Sequence, residues 1–171
     1  MVGAMAALLL SSANPTAADL AAAQLPELFE AACLDGEAKL APGSATPVTF
    51  DALPPELREN LGNPTSAKIW RLSGTGQTFL YLLDYEPSRY TNPRICGLAS
   101  DGMDYASAAD TVEMRVTGQV SPKTMRTTEW LNATGGYSAL ATTTGAFKVL
   151  QVNWLSDSQR AEMMKAQSAI H

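Results

Sequence analysis

The segment Thr78 to Tyr85 is apolar on both sides of an extended chain. Side chains alternate along a strand, so Phe79, Tyr81, Leu83 and Tyr85 point one way and Leu80 and Leu82 the other. A strand with two apolar faces needs cover above and below, which places it inside a sheet with packed layers on both sides. Lys68 to Leu72 precedes it across Ser73-Gly74-Thr75-Gly76, and the two segments predict a β-hairpin. Ile95 to Ala99 predicts a third strand, carrying Cys96.

Shorter signals surround this core. Pro26 to Leu34 predicts a helix with proline in its first turn, glutamates at its positive end and Leu28, Phe29, Ala32 and Cys33 on one face. Gly36 is its stop signal. Residues 37–50 predict a loop in which Val48 and Phe50 touch the core. A second short helix spans Pro54 to Leu61 and is stopped by Gly62-Asn63-Pro64. Asp104 caps a helix running to about Val116, although Val112, Met114 and Val116 also fit strand alternation.

Three further strands are predicted at Arg126 to Leu131, Tyr137 to Thr143 and Phe147 to Trp154. In the last, Phe147 and Val149 share one face while Leu150, Val152 and Trp154 share the other. That switch predicts either a bulge near Val149 and Leu150 or a strand covered on both sides. Ser156 with Gln159 forms a capping-box pattern opening a C-terminal helix with a thin apolar face. No repeat of solenoid period is present, although strand segments flank the Asp104 helix on both sides. Hairpins dominate, so the expected fold is α+β: a mostly antiparallel sheet of about six strands packed with short helices, and one disulfide. The expected boundaries are a signal peptide or disordered arm over 1–23, one α+β domain over 24–156, and an exposed helix or tail over 157–171.

Residues 1–23 carry no charged side chain before Asp19, and an apolar run ends at Leu8-Leu9-Leu10. Thr16-Ala17-Ala18 and Ala21-Ala22-Ala23 each put small residues where a signal peptidase reads. This is the layout of an export signal, without the usual basic residue at its start. The alternative is a loosely packed arm. Two cysteines, Cys33 and Cys96, remain. In a reducing compartment they would serve as small buried hydrophobes, whereas in an exported chain an even count favours pairing. A bridge would close a loop of about sixty residues, worth about 4 kcal/mol by chain entropy.

The remaining motifs speak against common chemistries. Gly74-Thr75-Gly76-Gln77-Thr78-Phe79 lacks the third glycine and the following helix of a dinucleotide site. His171, the only histidine, is the last residue, so no Ser-His-Asp set and no zinc site can be assembled in the ordinary way. An excess of 17 acidic over 12 basic residues argues against nucleic acid as partner. No apolar run is long enough for a transmembrane segment in the mature chain. No cofactor signature is present. Asp101, Asp104 and Asp110 cluster in sequence; they fit acid–base work, or else a turn with Gly102 and a helix cap. Asn132-Ala133-Thr134 matches a glycosylation acceptor. Trp70, Trp130 and Trp154 read as core residues. The loop Glu86 to Arg94 pairs Arg89 and Arg94 with Tyr90, residue types enriched at binding hot spots, and makes these three the partner-binding candidates.

With Phe29-Glu30-Ala31-Ala32-Cys33-Leu34, the Trp70 strand and Ile95-Cys96-Gly97-Leu98, the chain resembles a group of small exported α-proteobacterial proteins whose mature part begins F-x-x-x-C-L and has a second cysteine on a later strand. The likeness covers Phe29 to Val116. It implies export, a Cys33–Cys96 pair and an α+β domain, and it transfers no catalytic residue. The expected role is therefore a periplasmic or secreted domain that binds a protein or an envelope component without catalysis. The alternative is a carboxylate-dependent hydrolase acting on an envelope polymer.

Overall fold

The computed structural model describes residues 21–34, 43–74, 76–88, 91–115, 119–120, 127–132 and 134–168. A 3-10 turn, Ala22–Gln24, leads into helix α1, Leu25–Phe29, which continues as a π-helical turn over Glu30–Leu34. Then follow β1 (Ala45–Val48), a 3-10 turn (Phe50–Ala52), α2 (Pro55–Leu61), β2 (Ser66–Leu72), β3 (Thr78–Asp84) and β4 (Arg94–Ser100). The second half contains α3 (Tyr105–Arg115), β5 (Gln119–Val120), β6 (Thr127–Asn132), β7 (Tyr137–Thr144), β8 (Phe147–Trp154) and α4 (Asp157–Ser168).

All strands join one antiparallel sheet in the order β1-β2-β3-β4-β8-β7-β6-β5. The α+β expectation holds, with a larger sheet: eight strands, of which β5 has two residues and the other seven have at least four. Two strands escaped the sequence pattern, and both are edge strands. β1 lies inside the segment expected to be a loop. Its Pro47 cannot donate to a ladder and is tolerated only because β1 is an edge. β5 is too short to show alternation.

The order is also that of two similar halves. Each has a helix followed by a four-stranded meander, and the last strands of the two meanders, β4 and β8, pair at the centre. α1 packs on β4 and α3, and α3 packs on β7 and β8, so both helices cover the same face. Each half puts a tryptophan on its second strand beneath that cover, Trp70 and Trp130.

Both sides of the central strands are covered, as the apolar pattern of Thr78 to Tyr85 requires. Under α1 and α3 lie Leu80, Leu98, Leu150 and Val152 with Leu25, Phe29, Ala108 and Val112. On the other side, Leu53, Leu57 and Leu61 cover Ile69, Phe79, Tyr81, Leu83 and Val149. Leu83 and Leu98 are fully buried on opposite faces, each worth roughly 1.5–3 kcal/mol of apolar burial. β8 keeps an unbroken register with both neighbours, so its switch of apolar face reflects cover on two sides and not a bulge. Val48 and Phe50 do touch the second core.

Cys33 and Cys96 form a disulfide, with Cα atoms 5.4 Å apart across a separation of 63 residues. It fastens the end of α1 to the central strand. Gly97, the next residue, has a separate role. Any Cβ there would run into the Tyr81 ring, which crosses β4 so that its hydroxyl donates to Gln151 Oε1 on β8 at 2.9 Å. From Gln151 Nε2 a hydrogen bond continues to Asn153 Oδ1 (2.6 Å), and Asn153 Nδ2 donates to Ser138 Oγ (3.4 Å). This buried chain spans four strands. Burial, with a smaller push from Tyr85, keeps the Tyr81 hydroxyl protonated far above the usual phenol range.

Replacing both cysteines by serine should lower unfolding free energy by about 4 kcal/mol in urea titrations. An unchanged midpoint would mean that packing alone holds α1. Gly97→Ala should cost about 2 kcal/mol through overpacking against Tyr81. Combined with Tyr81→Leu, it should cost less than the sum of the two single changes in the same titrations.

Candidate functional site

The three sequence candidates separate. Arg89 and Tyr90 lie outside the described residues. Arg94 opens β4, where its Nε donates to Asp84 Oδ1 on β3 at 2.7 Å. Both side chains remain partly exposed, Arg94 at 54% and Asp84 at 37%, so the pair contributes little stability.

This ion pair borders an open groove of about 750 Å³ on the helix-covered face of the sheet, beyond the end of α1. Ala32, Cys33 and Leu34, in the π-helical turn, form one wall. Leu82 and Trp154 form apolar surface on the sheet, and Tyr85, Pro87 and Pro93 contribute from the β3–β4 connection. The disulfide fixes the wall relative to the sheet, because Cys96 lies on β4 two residues from Arg94 and faces the same side. Tyr85 is anchored by donating its hydroxyl to the Leu61 carbonyl at 2.7 Å, and burial pushes its pKa up to about 12.

Strand register continues the row of side chains past the groove as a belt. Asp84 pairs with Arg94, Arg94 with Trp154, Trp154 with Tyr137, and Tyr137 with Asn132. Register partners share a face, so five side chains line up across β3, β4, β8, β7 and β6 at roughly 4.8 Å per strand. Asn132 Nδ2 donates to the Tyr137 hydroxyl at 3.2 Å, and Asn132 Oδ1 accepts from Gly135 N at 2.7 Å. The amide of the glycosylation motif is thus already engaged in a turn.

Trp154 packs against the core as expected, but it is only half-buried and also lines the groove. The available signal was its place as the last residue of its strand. Trp130 is buried as expected. Its Nε1 has no hydrogen-bond partner among the described residues.

Two of the three clustered aspartates have structural uses. Asp101 Oδ1 accepts from Gln77 N at 2.8 Å and pins the β2–β3 turn. Asp104 caps α3 through Oδ2, accepting from Ser107 N at 2.9 Å. Asp110 is exposed on α3. None of the three lines the groove. Among the described residues no three His, Cys, Asp or Glu side chains are grouped to hold a metal ion. No helix among them is long and apolar enough to cross a membrane.

The site and sheet define an α+β domain with a disulfide-fixed surface groove. Comparison with known proteins adds nothing to this: no family model, curated protein or solved structure matches the chain.

The Asp104 carboxyl is held below its ordinary value of 3.8, mainly by the backbone hydrogen bond from Ser107, with its hydroxyl bond next. A depressed carboxylate contributes stability that is present above the unfolded pKa and lost as pH falls through the lower folded one. Asp104→Asn keeps a capping oxygen but cannot titrate. Its stability should therefore decline less than that of the wild type as pH is lowered below 3.8, measured by thermal melts across an acid series.

Proposed function

We propose that this chain is an exported, periplasmic or secreted domain that binds a protein or envelope component and does not catalyse a reaction. The observation that carries the reading is the groove beside the Cys33–Cys96 bridge, with Arg94 on its border. A disulfide linking the end of a helix to a central strand suits an oxidising compartment. A wall held by a covalent bond also keeps the groove preformed, which lowers the ordering cost of binding. Arg89 and Tyr90 belong to the same β3–β4 connection as Pro87 and Pro93, and we assign them, with Arg94, to partner contact.

The N-terminal turn bears on processing. Ala21 N donates to Gln24 Oε1 at 3.0 Å, closing the turn that opens α1. Cleavage after Ala23 would cut through this turn, whereas cleavage after Ala18 leaves it intact and is the site we favour. The roles of Asp101 in a turn and Asp104 in a helix cap favour the binding reading over the hydrolase alternative.

Protein recovered from its native host should carry no free thiol and an N-terminus beginning near residue 19, by thiol titration and intact mass. Arg89→Ala, Tyr90→Ala and Arg94→Ala should each reduce retention on the host's envelope fraction. Two free thiols with an unprocessed terminus would end the export reading, and unchanged retention would remove the loop and groove from it.

A further inference from the structure

From the belt across the sheet we infer that the groove takes a neutral oligosaccharide. This rests on the binding role proposed above and specifies its ligand. Among the described residues that line the groove, the charged side chains are Asp84 and Arg94, and they are paired. An anion would meet the Asp84 carboxylate and a cation the Arg94 guanidinium. A neutral hydroxyl, both donor and acceptor, finds complementary groups in the pair together. Beside it Trp154 presents a partly exposed indole, a flat apolar surface suited to the C–H face of a sugar ring. Next in the row stand Tyr137 and Asn132; the Asn132 amide is taken up by the Tyr137 hydroxyl and Gly135 N, which leaves the Tyr137 hydroxyl proton as the donor at this end. The order from β3 to β6 is therefore polar pair, aromatic, aromatic, polar, along roughly 19 Å of sheet at the usual strand spacing.

The groove's place in the fold argues against an extended peptide. Peptides that add to a sheet need an unpaired strand edge for their backbone. β3, β4, β8 and β7 are interior strands with both edges taken. The groove volume of about 750 Å³ lies within the roughly 300–1,000 Å³ of small-ligand sites.

Indole N–H resonances of the labelled wild-type chain, assigned with Trp154→Phe, provide the test. Cellotetraose and chitotetraose serve as neutral probes and tetragalacturonate as the acidic one. At millimolar neutral probe the Trp154 resonance should shift while that of buried Trp130 stays fixed. Trp154→Ala should weaken binding about tenfold by calorimetry, the worth of one aromatic contact. Because that variant can fail to fold, the wild-type resonance shift is the deciding measurement. No Trp154 shift with either neutral probe, or a larger response to the acidic one, overturns the inference. If Arg94→Ala still abolishes envelope retention in that case, the sugar chemistry fails and the binding role stands. If retention is also unchanged, both fail.

Discussion

β3, β4 and β8 bury apolar side chains on both faces, and the architecture follows from the need to cover them. α1 and α3 lie over one face, while α2 and the turn before it lie over the other. Neither layer is optional, since an uncovered face would leave Leu80 and Leu98, or Phe79 and Leu83, in water. Pairing β4 with β8 merges the two meanders into a single sheet, which puts the three strands with the greatest demand for cover at its centre.

The site lies beside the π-helical turn that continues α1 as far as Leu34, where Asp84, Arg94 and Trp154 border the groove on the sheet. The disulfide holds this turn in place by linking it to the strand beneath it. A residue's role on these strands depends on its position along the strand. Val152 is core, whereas Trp154, two positions on and facing the same way, is half open.

The face under α2 shows how a polar network can sit within an apolar layer. Tyr81 lies across Gly97, and the chain through Gln151 and Asn153 ends at Ser138. Every link is hydrogen-bonded, so burial of these amides does not leave unpaired groups. The absence of a side chain at Gly97 is what allows the ring to pass.

Local pattern in the chain determined much of this protein. The two-faced apolar strand implied a doubly covered sheet, Asp104 and the Ser156–Gln159 pair marked helix starts, and the cysteine count pointed to the bridge. These were legible because alternation, capping and pairing involve residues whose relation is short-range or unique. The edge strands β1 and β5 were not, since Pro47 masks one and two residues make the other. Arg94 could be singled out by type, but its partner Asp84 and its neighbour Trp154 could not. They meet only because β4 pairs with β3 on one side and with β8 on the other; Asp84 lies across the connection between neighbouring strands and Trp154 far along the chain, and neither pairing leaves a local trace. Tertiary structure alone decided which of several similar aromatic side chains is packed away and which borders the groove.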